Sequence, residues 1–446
     1  MAGATLCRMP LSSVTRRQFL QAIGTAATVG PWAGRLRAAQ PVLRHASIGA
    51  AGQALSDINS FARHPSFQLV AVADVDLCRI VPLQQRFPNV RVYQDWRELL
   101  EREAKHIDSV SVATPDHMHG LVAMKALERG KAVYVEKPLC STLRETRQLT
   151  ELARRRGLPT QMGIQISSTR DQLYGEALVR SGVIGKIREV HTFSNKSWGD
   201  EAPLAATVDP VPAPLDWNGW LGVSDHRPFI NGAYHPGQWR RRVGFGTGTL
   251  GDMGCHIYSP PYRALNLSSP VTVTSYGPAP TDTSWAVKMR VKLTYPGTDY
   301  TEASTVNVWW YDGGELPPAG IVEMLGPRLP EQGSVLVGTN GVLVLPHMRP
   351  APFAMVDGRD VTLPEIVVPE RDHYAEFIDA VLGGGRTRCS TNFDYSGPLT
   401  ESVLIGNVAA RFPGETLEFD AKALAFPTRR EANEFLTRPY RRGWSM

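Results

Sequence analysis

Three residues have the types and spacing for proton transfer to or from a hydroxyl group. Asp252 precedes His256 by four residues, and on a helix that spacing places both side chains on one face. An imidazole titrates near neutrality, so His256 can remove the proton of a hydroxyl within hydrogen-bond distance. Asp252 can orient that imidazole or bind a neighbouring hydroxyl. Lys137 can bind the reacting oxygen as a compact positive charge.

The same residues allow two other interpretations. A histidine four residues from an aspartate often forms only a structural pair. Asp252 and His256, together with His117 or His119, also have a spacing that allows a metal site. No cluster of cysteines and histidines completes a set of four ligands, so we expect no metal.

The elements that must position these residues alternate between short apolar runs and helical patterns. The predicted strands are 45–50, 69–76, 109–114, 132–135 and 159–165. The predicted helices between them are 55–63, 96–103, 121–129 and 142–156. Thr142, with Glu145 three residues later, caps the last helix. This alternation predicts an α/β fold with an N-terminal Rossmann domain, a doubly wound parallel sheet.

The pattern changes after residue 165. Helices are predicted at 175–180, 371–382 and 400–410, and strands at 187–193, 271–276, 287–295, 304–310 and on both sides of the turn at 339–341. These elements predict an α+β domain with a mostly antiparallel open sheet. Residues 198–247 are rich in Pro, Gly, Trp and His, and a loop of that length is usually functional.

We therefore divide the chain into four parts. Residues 1–39 form a signal peptide, 40–165 the Rossmann domain, 166–424 the α+β domain for substrate binding and oligomerisation, and 425–446 a basic, aromatic C-terminal arm. An exposed antiparallel sheet invites packing against a second copy, so a homo-oligomer is expected.

The turn after the first strand has the position of a dinucleotide-binding turn. In Ile48–Ala54 only Gly49 matches the G-x-G-x-x-G pattern, while Ala51 and Ala54 hold the second and third glycine positions and Gly52 lies nearby. Asp74 ends the second strand, where an acid binds the ribose 2′-hydroxyl and repels a 2′-phosphate. The cofactor expected is therefore NAD rather than NADP. The alternatives are an ordinary strand–helix turn and a helix-capping role for Asp74.

Residues 14–20 match a twin-arginine export signal. Arg16 and Arg17 are followed by Phe19 and Leu20, and residues 22–34 carry no charge. Such a signal is an address that a receptor reads, and small residues before Gln40 mark the expected cleavage site. We expect the twin-arginine machinery to export a protein already folded around its cofactor, to the periplasm.

Composition excludes several other classes. The net charge is +5, and the signal contributes several of the positive charges, so nucleic-acid binding is not indicated. After the signal, no apolar run is long enough to span a bilayer. The five cysteines, of which Cys7 lies in the signal, include no CxxC pair and no zinc spacing.

Three segments resemble the Gfo/Idh/MocA oxidoreductases. They are Ala113–His119 (ATPDHMH), Val135–Leu139 (VEKPL) and Gly251–His256 (GDMGCH). The resemblance covers nearly the whole chain after the signal. It implies an NAD-dependent oxidoreductase that transfers hydride between a carbinol carbon and the nicotinamide, with Lys137, Asp252 and His256 as the catalytic set.

The resemblance also places a cofactor site and suggests an alternative activity. Thr114, Pro115, His119, Glu136, Lys137 and Gln165 are expected to contact the cofactor beside Gly49, Ala51, Gly52 and Asp74. Some family members are NAD-dependent glycosidases with a redox-neutral cycle. The Glu-Lys-Pro and Gly-Asp-x-Gly-x-His elements indicate the dehydrogenase side instead.

The substrate expected is a sugar, glycoside or cyclitol. Aromatic residues beside polar groups suit the apolar faces and hydroxyl rims of sugars, and Tyr234, His235 and Trp239 in the long loop are the predicted contacts. Two alternatives remain beside the oxidoreductase. One is a glycoside hydrolase or lyase that oxidises its substrate transiently, and the other is a non-catalytic sugar-binding protein.

Overall fold

The computed structural model describes residues 41–445. The predicted signal peptide lies outside these residues. The α-helices, α1 to α11 in chain order, are Gln53–Phe61, Val81–Arg86, Trp96–Glu103, Asp116–Glu128, Leu143–Arg156, Arg170–Ser181, Trp217–Leu221, Gly248–Ala264, Ala319–Leu325, His373–Leu382 and Phe393–Ala409. The strands, β1 to β15, are Leu43–Ile48, Phe67–Ala73, Arg91–Tyr93, Ser109–Val112, Ala132–Glu136, Thr160–Gly163, Ile187–Ser194, Thr272–Ser275, Met289–Pro296, Thr305–Asp312, Gln332–Gly338, Val342–Pro346, Phe353–Val356, Arg359–Asp360 and Thr416–Glu418.

The first six strands form a parallel sheet in the order β3-β2-β1-β4-β5-β6. Strands β4 and β5 are buried along their whole length, as expected for strands covered on both faces. Ile48 pairs with Ala73 on one side and with Val112 on the other. The residues that follow these strands therefore collect at one edge of the sheet, where open α/β sheets bind ligands.

The remaining strands form a nine-stranded sheet in the order β14-β13-β12-β11-β7-β10-β9-β8-β15. The β7–β10 pair is parallel and its other neighbouring pairs are antiparallel. Strand β9 alternates buried and more exposed residues, the pattern of a sheet with one covered face. Helices α6, α8 and α11 pack against this sheet. The predicted fold class is confirmed.

Helix α11 joins the two sheets because it also packs on α5 of the parallel sheet. Arg147 on α5 donates two hydrogen bonds of 2.7 Å to Glu401 on α11. Residues from 41 onward accordingly form one compact unit. None of the helices between residues 41 and 445 has both the length and the apolar character that a membrane crossing requires.

The C-terminal arm lies against both the parallel sheet and the long loop. Trp444 packs on Trp96, with ring centroids 6.5 Å apart, and the Tyr440 hydroxyl donates to Glu145 at 2.8 Å. The Arg438 guanidinium donates to the Ser224 hydroxyl at 2.7 Å. The arm therefore ties the long loop to the Rossmann part of the molecule.

Several element bounds differ from the sequence-based expectation. Strand β3 was not predicted because three residues give no periodic signal, and β13, β14 and β15 are similarly short. Helix α11 begins at Phe393, earlier than predicted, and contains Pro398. The capping box predicted at Thr142 is present, with both reciprocal hydrogen bonds to Glu145.

Candidate active site

A cleft runs along the carboxyl edge of the parallel sheet and encloses about 1140 Å³, part of it open to solvent. The residues predicted to bind the cofactor that line it are Gly49, Ala51, Gly52, Asp74, Thr114, Pro115, His119, Glu136 and Lys137. Its far wall comes from the long loop between β7 and α8. The cleft therefore lies between the Rossmann strands and that loop, at the sheet edge where dinucleotides bind in this fold.

The turn after β1 leaves room for a pyrophosphate. Gly49 has φ +110°, and a Cβ there would lie 2.8 Å from the Ala113 carbonyl oxygen. A side chain at position 49 would therefore clash with the backbone that follows the neighbouring strand β4. Gly52 precedes α1, and no side chain caps that helix. Backbone N–H groups at an uncapped helix start bind phosphates well, so the weak glycine pattern still fits the cofactor.

Asp74 accepts backbone N–H groups of neighbouring residues and also lines the cleft. Its Oδ2 accepts the Ala50 N–H and its Oδ1 the Asp76 N–H, each at 3.0 Å. Burial raises the pKa of the Asp74 carboxyl, although the two N–H groups oppose this. Each carboxylate oxygen keeps a second acceptor position, so Asp74 can still accept a ribose hydroxyl.

We expect Asp74→Asn to weaken the preference for NAD over NADP by roughly tenfold or more, because a neutral amide no longer repels a 2′-phosphate. Asparagine keeps an acceptor for one of the two backbone N–H groups, whereas Asp74→Ala leaves both unpaired. The measurement is the ratio of the two dissociation constants. Equal affinities in the unmutated protein would leave Asp74 with its backbone role alone.

The long loop, residues 198–247, covers the nucleotide end of the cleft; we call it the roof segment. The Asp216 N–H bonds the Val75 carbonyl at 2.8 Å. His235 donates to the Asp76 carboxylate at 2.8 Å. The roof residues that line the cleft are Gly219, Trp220, His235, Pro236, Trp239 and Arg240. A nucleotide in the cleft is thus covered by a loop bonded to the end of β2.

The predicted substrate contacts in the roof segment are corrected by these positions. Tyr234 is 2% exposed, with its ring 5.4 Å from Phe245 and 5.8 Å from Trp217, so it belongs to the apolar core of the segment. His235 faces the nucleotide end because Asp76 holds it. Trp239 lines the cleft, and its contact with a substrate stays a prediction.

Both histidines that follow β4 are held by backbone groups. His119 has its two ring nitrogens 2.8 Å from the carbonyl oxygens of Thr114 and Pro138. His117 is buried, with Nε2 3.2 Å from the Trp220 carbonyl. Residues 41–445 contain no group of three His, Cys, Asp or Glu that could hold a metal ion. His119 lies at the cofactor cleft without a free nitrogen for a reacting hydroxyl.

Gln165 does not line the cleft, in contrast to the prediction. Its amide donates to Glu136 Oε1 at 2.6 Å, because β6 lies beside β5 and turns the side chain toward that buried carboxyl. Glu136 has a buried neighbour, Asp57, and burial raises the pKa of both carboxyls; the charge of Glu136 adds to the effect on Asp57. Gln165 therefore supports the floor beneath Lys137.

Lys137 and Asp252 form an ion pair at the inner end of the cleft. The Lys137 ammonium donates to Asp252 Oδ1 at 2.6 Å, and the Lys137–Pro138 peptide bond is cis. Burial opposes the charge of Lys137, but the Asp252 and Glu136 carboxylates outweigh it and raise its pKa. Burial would likewise raise the pKa of Asp252, but Lys137 and Arg240 hold it below its usual range. Both groups therefore remain charged at neutral pH.

Asp252 does not orient His256 in the described structure. Its second oxygen accepts the Trp198 indole N–H at 2.9 Å, and no hydrogen bond between Asp252 and His256 occurs in residues 41–445. His256 follows one turn later on α8, and its buried Nδ1 has no partner among these residues. Burial, with the charge of Lys137, lowers the pKa of His256 well below 6.5. The imidazole is therefore neutral and can accept a proton.

Three residues beside Asp252 and His256 were not predicted from sequence. Lys196 and Trp198 follow β7, and His347 follows β12 with its ring 5.4 Å from that of His256. The backbone N–H of Trp198 donates to the Thr249 hydroxyl oxygen at 2.6 Å. This bond connects the segment after β7 to the start of α8. The carboxyl end of β7 was the available signal, because polar residues that follow strands often line sites.

The fold and the cleft define a protein with a Rossmann cofactor domain, and the comparisons with known proteins identify its family. The profile described as "Oxidoreductase family, NAD-binding Rossmann fold" matches residues 43–164, and the one described as "Oxidoreductase family, C-terminal alpha/beta domain" matches residues 176–306. Together they cover more than half of the chain. The chain belongs to the Gfo/Idh/MocA family of NAD-dependent oxidoreductases.

Curated relatives are distant and match over part of their length. A glycosyl hydrolase family 109 protein of Shewanella baltica (strain OS155 / ATCC BAA-1091) is 28% identical over 40% of this chain and 45% of that protein. A levoglucosan dehydrogenase of Pseudarthrobacter phenanthrenivorans is 23% identical over 43% of this chain and 41% of that protein. The chain spans less than half the length of these curated relatives.

Solved structures share the fold. An inositol dehydrogenase homologue of Azotobacter vinelandii, in complex with NADH and myo-inositol, is 20% identical with a TM-score of 0.59, over 85% of this chain and 98% of that one. An aldose–aldose oxidoreductase of Caulobacter crescentus is 17% identical with a TM-score of 0.59, over 85% of this chain and 100% of that one. At these identities the likeness concerns the fold alone.

Proposed function

We propose that this protein is a periplasmic oxidoreductase that oxidises or reduces a sugar, glycoside or cyclitol with a tightly held NAD. The observation that carries the proposal is the Lys137–Asp252 ion pair, in which Nζ and Oδ1 are 2.6 Å apart. Asp252 lies on α8 one turn before a neutral His256. Lys137 lines the same cleft as most of the residues predicted to bind the nucleotide.

In the proposed reaction His256 accepts the hydroxyl proton of the substrate. Its neutral imidazole is available for this because burial keeps its pKa low. The Lys137 ammonium stays charged and donates to the oxygen as negative charge develops there. Asp252 keeps that ammonium in place and does not itself take the proton, since its pKa is held low. Bound NAD would supply the acceptor for the hydride that leaves the carbinol carbon.

Retention of the nucleotide is supported by the roof segment. The segment is bonded to β2 through Asp216 and His235 and to the arm through Ser224. These contacts hold the segment over the cleft and so favour retention of a bound nucleotide. A nucleotide that stays bound suits an enzyme in a compartment without a free nicotinamide pool.

The test is to purify the exported protein, measure the absorbance of its bound nicotinamide, and add a panel of sugars and cyclitols without oxygen. We expect bound NAD and its reduction by at least one compound. Absence of bound nucleotide, or no change with any compound, would contradict the proposal.

A second candidate is a glycosidase in which the sugar is oxidised only transiently. It is favoured by one observation: a relative named alpha-N-acetylgalactosaminidase, from Shewanella oneidensis (strain ATCC 700550 / JCM 31522 / CIP 106686 / LMG 19005 / NCIMB 14063 / MR-1), is 30% identical over 33% of this chain and 33% of that protein. Incubation with an α-N-acetylgalactosaminide distinguishes the two. Release of the aglycone without net formation of NADH supports the glycosidase.

Export of the folded protein is tested at the predicted signal. We expect replacement of Arg16 and Arg17 by lysine to leave the precursor in the cytoplasm, because the receptor reads the arginine pair. The measurement is the distribution of the protein between periplasm and cytoplasm. A matched variant with Arg8→Lys, outside the motif, should be exported normally. Export of the double-lysine variant would refute the twin-arginine route.

A further inference from the structure

The Arg240 guanidinium lies near two tryptophan rings, and no hydrogen bond from its terminal nitrogens is found among residues 41–445. Its guanidinium carbon lies 4.4 Å from the Trp239 ring centroid and 5.6 Å from that of Trp198. Only Nε is bonded, to Asp252 at 3.3 Å. A planar fork of this kind binds two oxygens of one anion.

Lys196 is a second cation without a close partner. Its ammonium lies 3.7 Å from Asp252 Oδ2, with the side chain 41% exposed. Its other neighbour is the sulfur of Met253 at 3.0 Å, which is a weak acceptor. The ammonium therefore keeps most of its hydrogen-bonding capacity for a ligand.

Three cations share one carboxylate at this end of the cleft. Lys137, Lys196 and Arg240 all lie within 4.0 Å of the single carboxylate of Asp252. Two further carboxyl groups are nearby, and both have other partners. Asp116 accepts from the Thr247 hydroxyl at 2.6 Å, and Glu136 accepts from Gln165 at 2.6 Å. Neither forms an ion pair with Lys196 or Arg240 in the described residues.

We propose that the substrate is a sugar with an anionic substituent, a carboxylate or a phosphate, which Arg240 and Lys196 bind while Lys137 and His256 face the reacting hydroxyl. The proposal rests on the proposed function and names its substrate class. The Trp198 and Trp239 rings beside Arg240 offer apolar surface to the sugar ring next to the anion.

The test measures binding separately from chemistry. NAD-loaded protein is titrated by calorimetry with glucuronate, glucose 6-phosphate, glucose and the methyl ester of glucuronate, and with the same set in the galacto and manno series. We expect one anionic sugar to bind roughly tenfold to a hundredfold more tightly than its neutral partner, with a difference that shrinks as salt is added. The carboxylate and phosphate arms show which anion is preferred.

Variants connect the preference to the two cations. Arg240→Gln and Lys196→Gln should each reduce the preference for the anionic sugar, and Arg240→Lys should not restore it fully because lysine lacks the fork. Arg359→Gln, at an exposed residue of β14, is the matched control and should keep the preference. Equal binding of anionic and neutral sugars in all three series overturns the proposal, as does a preference that survives both glutamine variants.

Turnover measurements test the anionic substrate separately from the oxidoreductase activity. Neutral sugars that reduce bound NAD as well as anionic ones contradict the anionic substrate and support the oxidoreductase. Selective binding of an anionic sugar that leaves NAD oxidised, without cleavage of a glycoside, contradicts the oxidoreductase and supports the anion site.

Discussion

Replacement of Lys137 by alanine is expected to slow hydride transfer by at least ~10²–10⁴-fold, the range of a general acid–base group. The variant loses the charge that stabilises the reacting oxygen. It also leaves the buried Asp252 with Arg240 and Lys196 as its remaining cations. The measurement is single-turnover reduction of bound NAD, which isolates the chemical step from product release.

The substitution to arginine separates charge from geometry. Lys137→Arg should not restore the rate, because a planar guanidinium cannot occupy the position of a compact ammonium 2.6 Å from Asp252. Asp252→Asn should also be severely slowed, since three cations then lose their shared carboxylate. Retained fold and bound nucleotide in each variant are the controls. A Lys137→Ala variant with the wild-type rate would exclude Lys137 from the reaction.

His256→Ala is expected to lose ~10²–10⁴-fold of the same single-turnover rate, because a positioned general base contributes about that much. His347→Ala is the informative comparison, since that imidazole lies beside His256, at a centroid distance of 5.4 Å, and has no proposed role as base. A smaller loss in His347→Ala than in His256→Ala supports the assignment. If His256→Ala reduces NAD as fast as the unmutated protein, the base is another residue.

The pH dependence follows from the environment of His256. An ordinary histidine becomes protonated as the pH falls through about 6.5 and then cannot accept a proton. Burial lowers the pKa of His256 well below that value. His256 therefore becomes protonated, and stops acting as a base, only at a lower pH. We expect the single-turnover rate to show no inflection from His256 between about pH 6 and about pH 8. An inflection near 6.5 that disappears in His256→Ala would contradict this environment.

The parallel sheet could be predicted because its strands are apolar runs separated by helical patterns. Helix α3 was predicted at the bounds it has, Trp96–Glu103, since Asp95 caps it and its apolar face is regular. Strand β3 has only three residues, and Pro398 inside α11 gives a local signal against helix. In both places tertiary packing decides the structure and local pattern does not.

The site was predictable where a residue follows a strand and less so inside the roof segment. Lys137 follows β5, so its position at the carboxyl edge is a consequence of topology. The spacing of Asp252 and His256 indicated a shared helix face. It did not indicate that Lys137, which follows β5, would form an ion pair with Asp252. Tyr234 shows a further limit: residue type does not distinguish an aromatic side chain in a cleft from one in the core.

The contacts of the C-terminal arm give the molecule an order of assembly. Arg438, Tyr440 and Trp444 come later in the chain than every residue that lines the cleft, yet they connect the roof segment to the Rossmann part. The residues that line the cleft are therefore synthesised before the residues that fasten the roof segment to the Rossmann part.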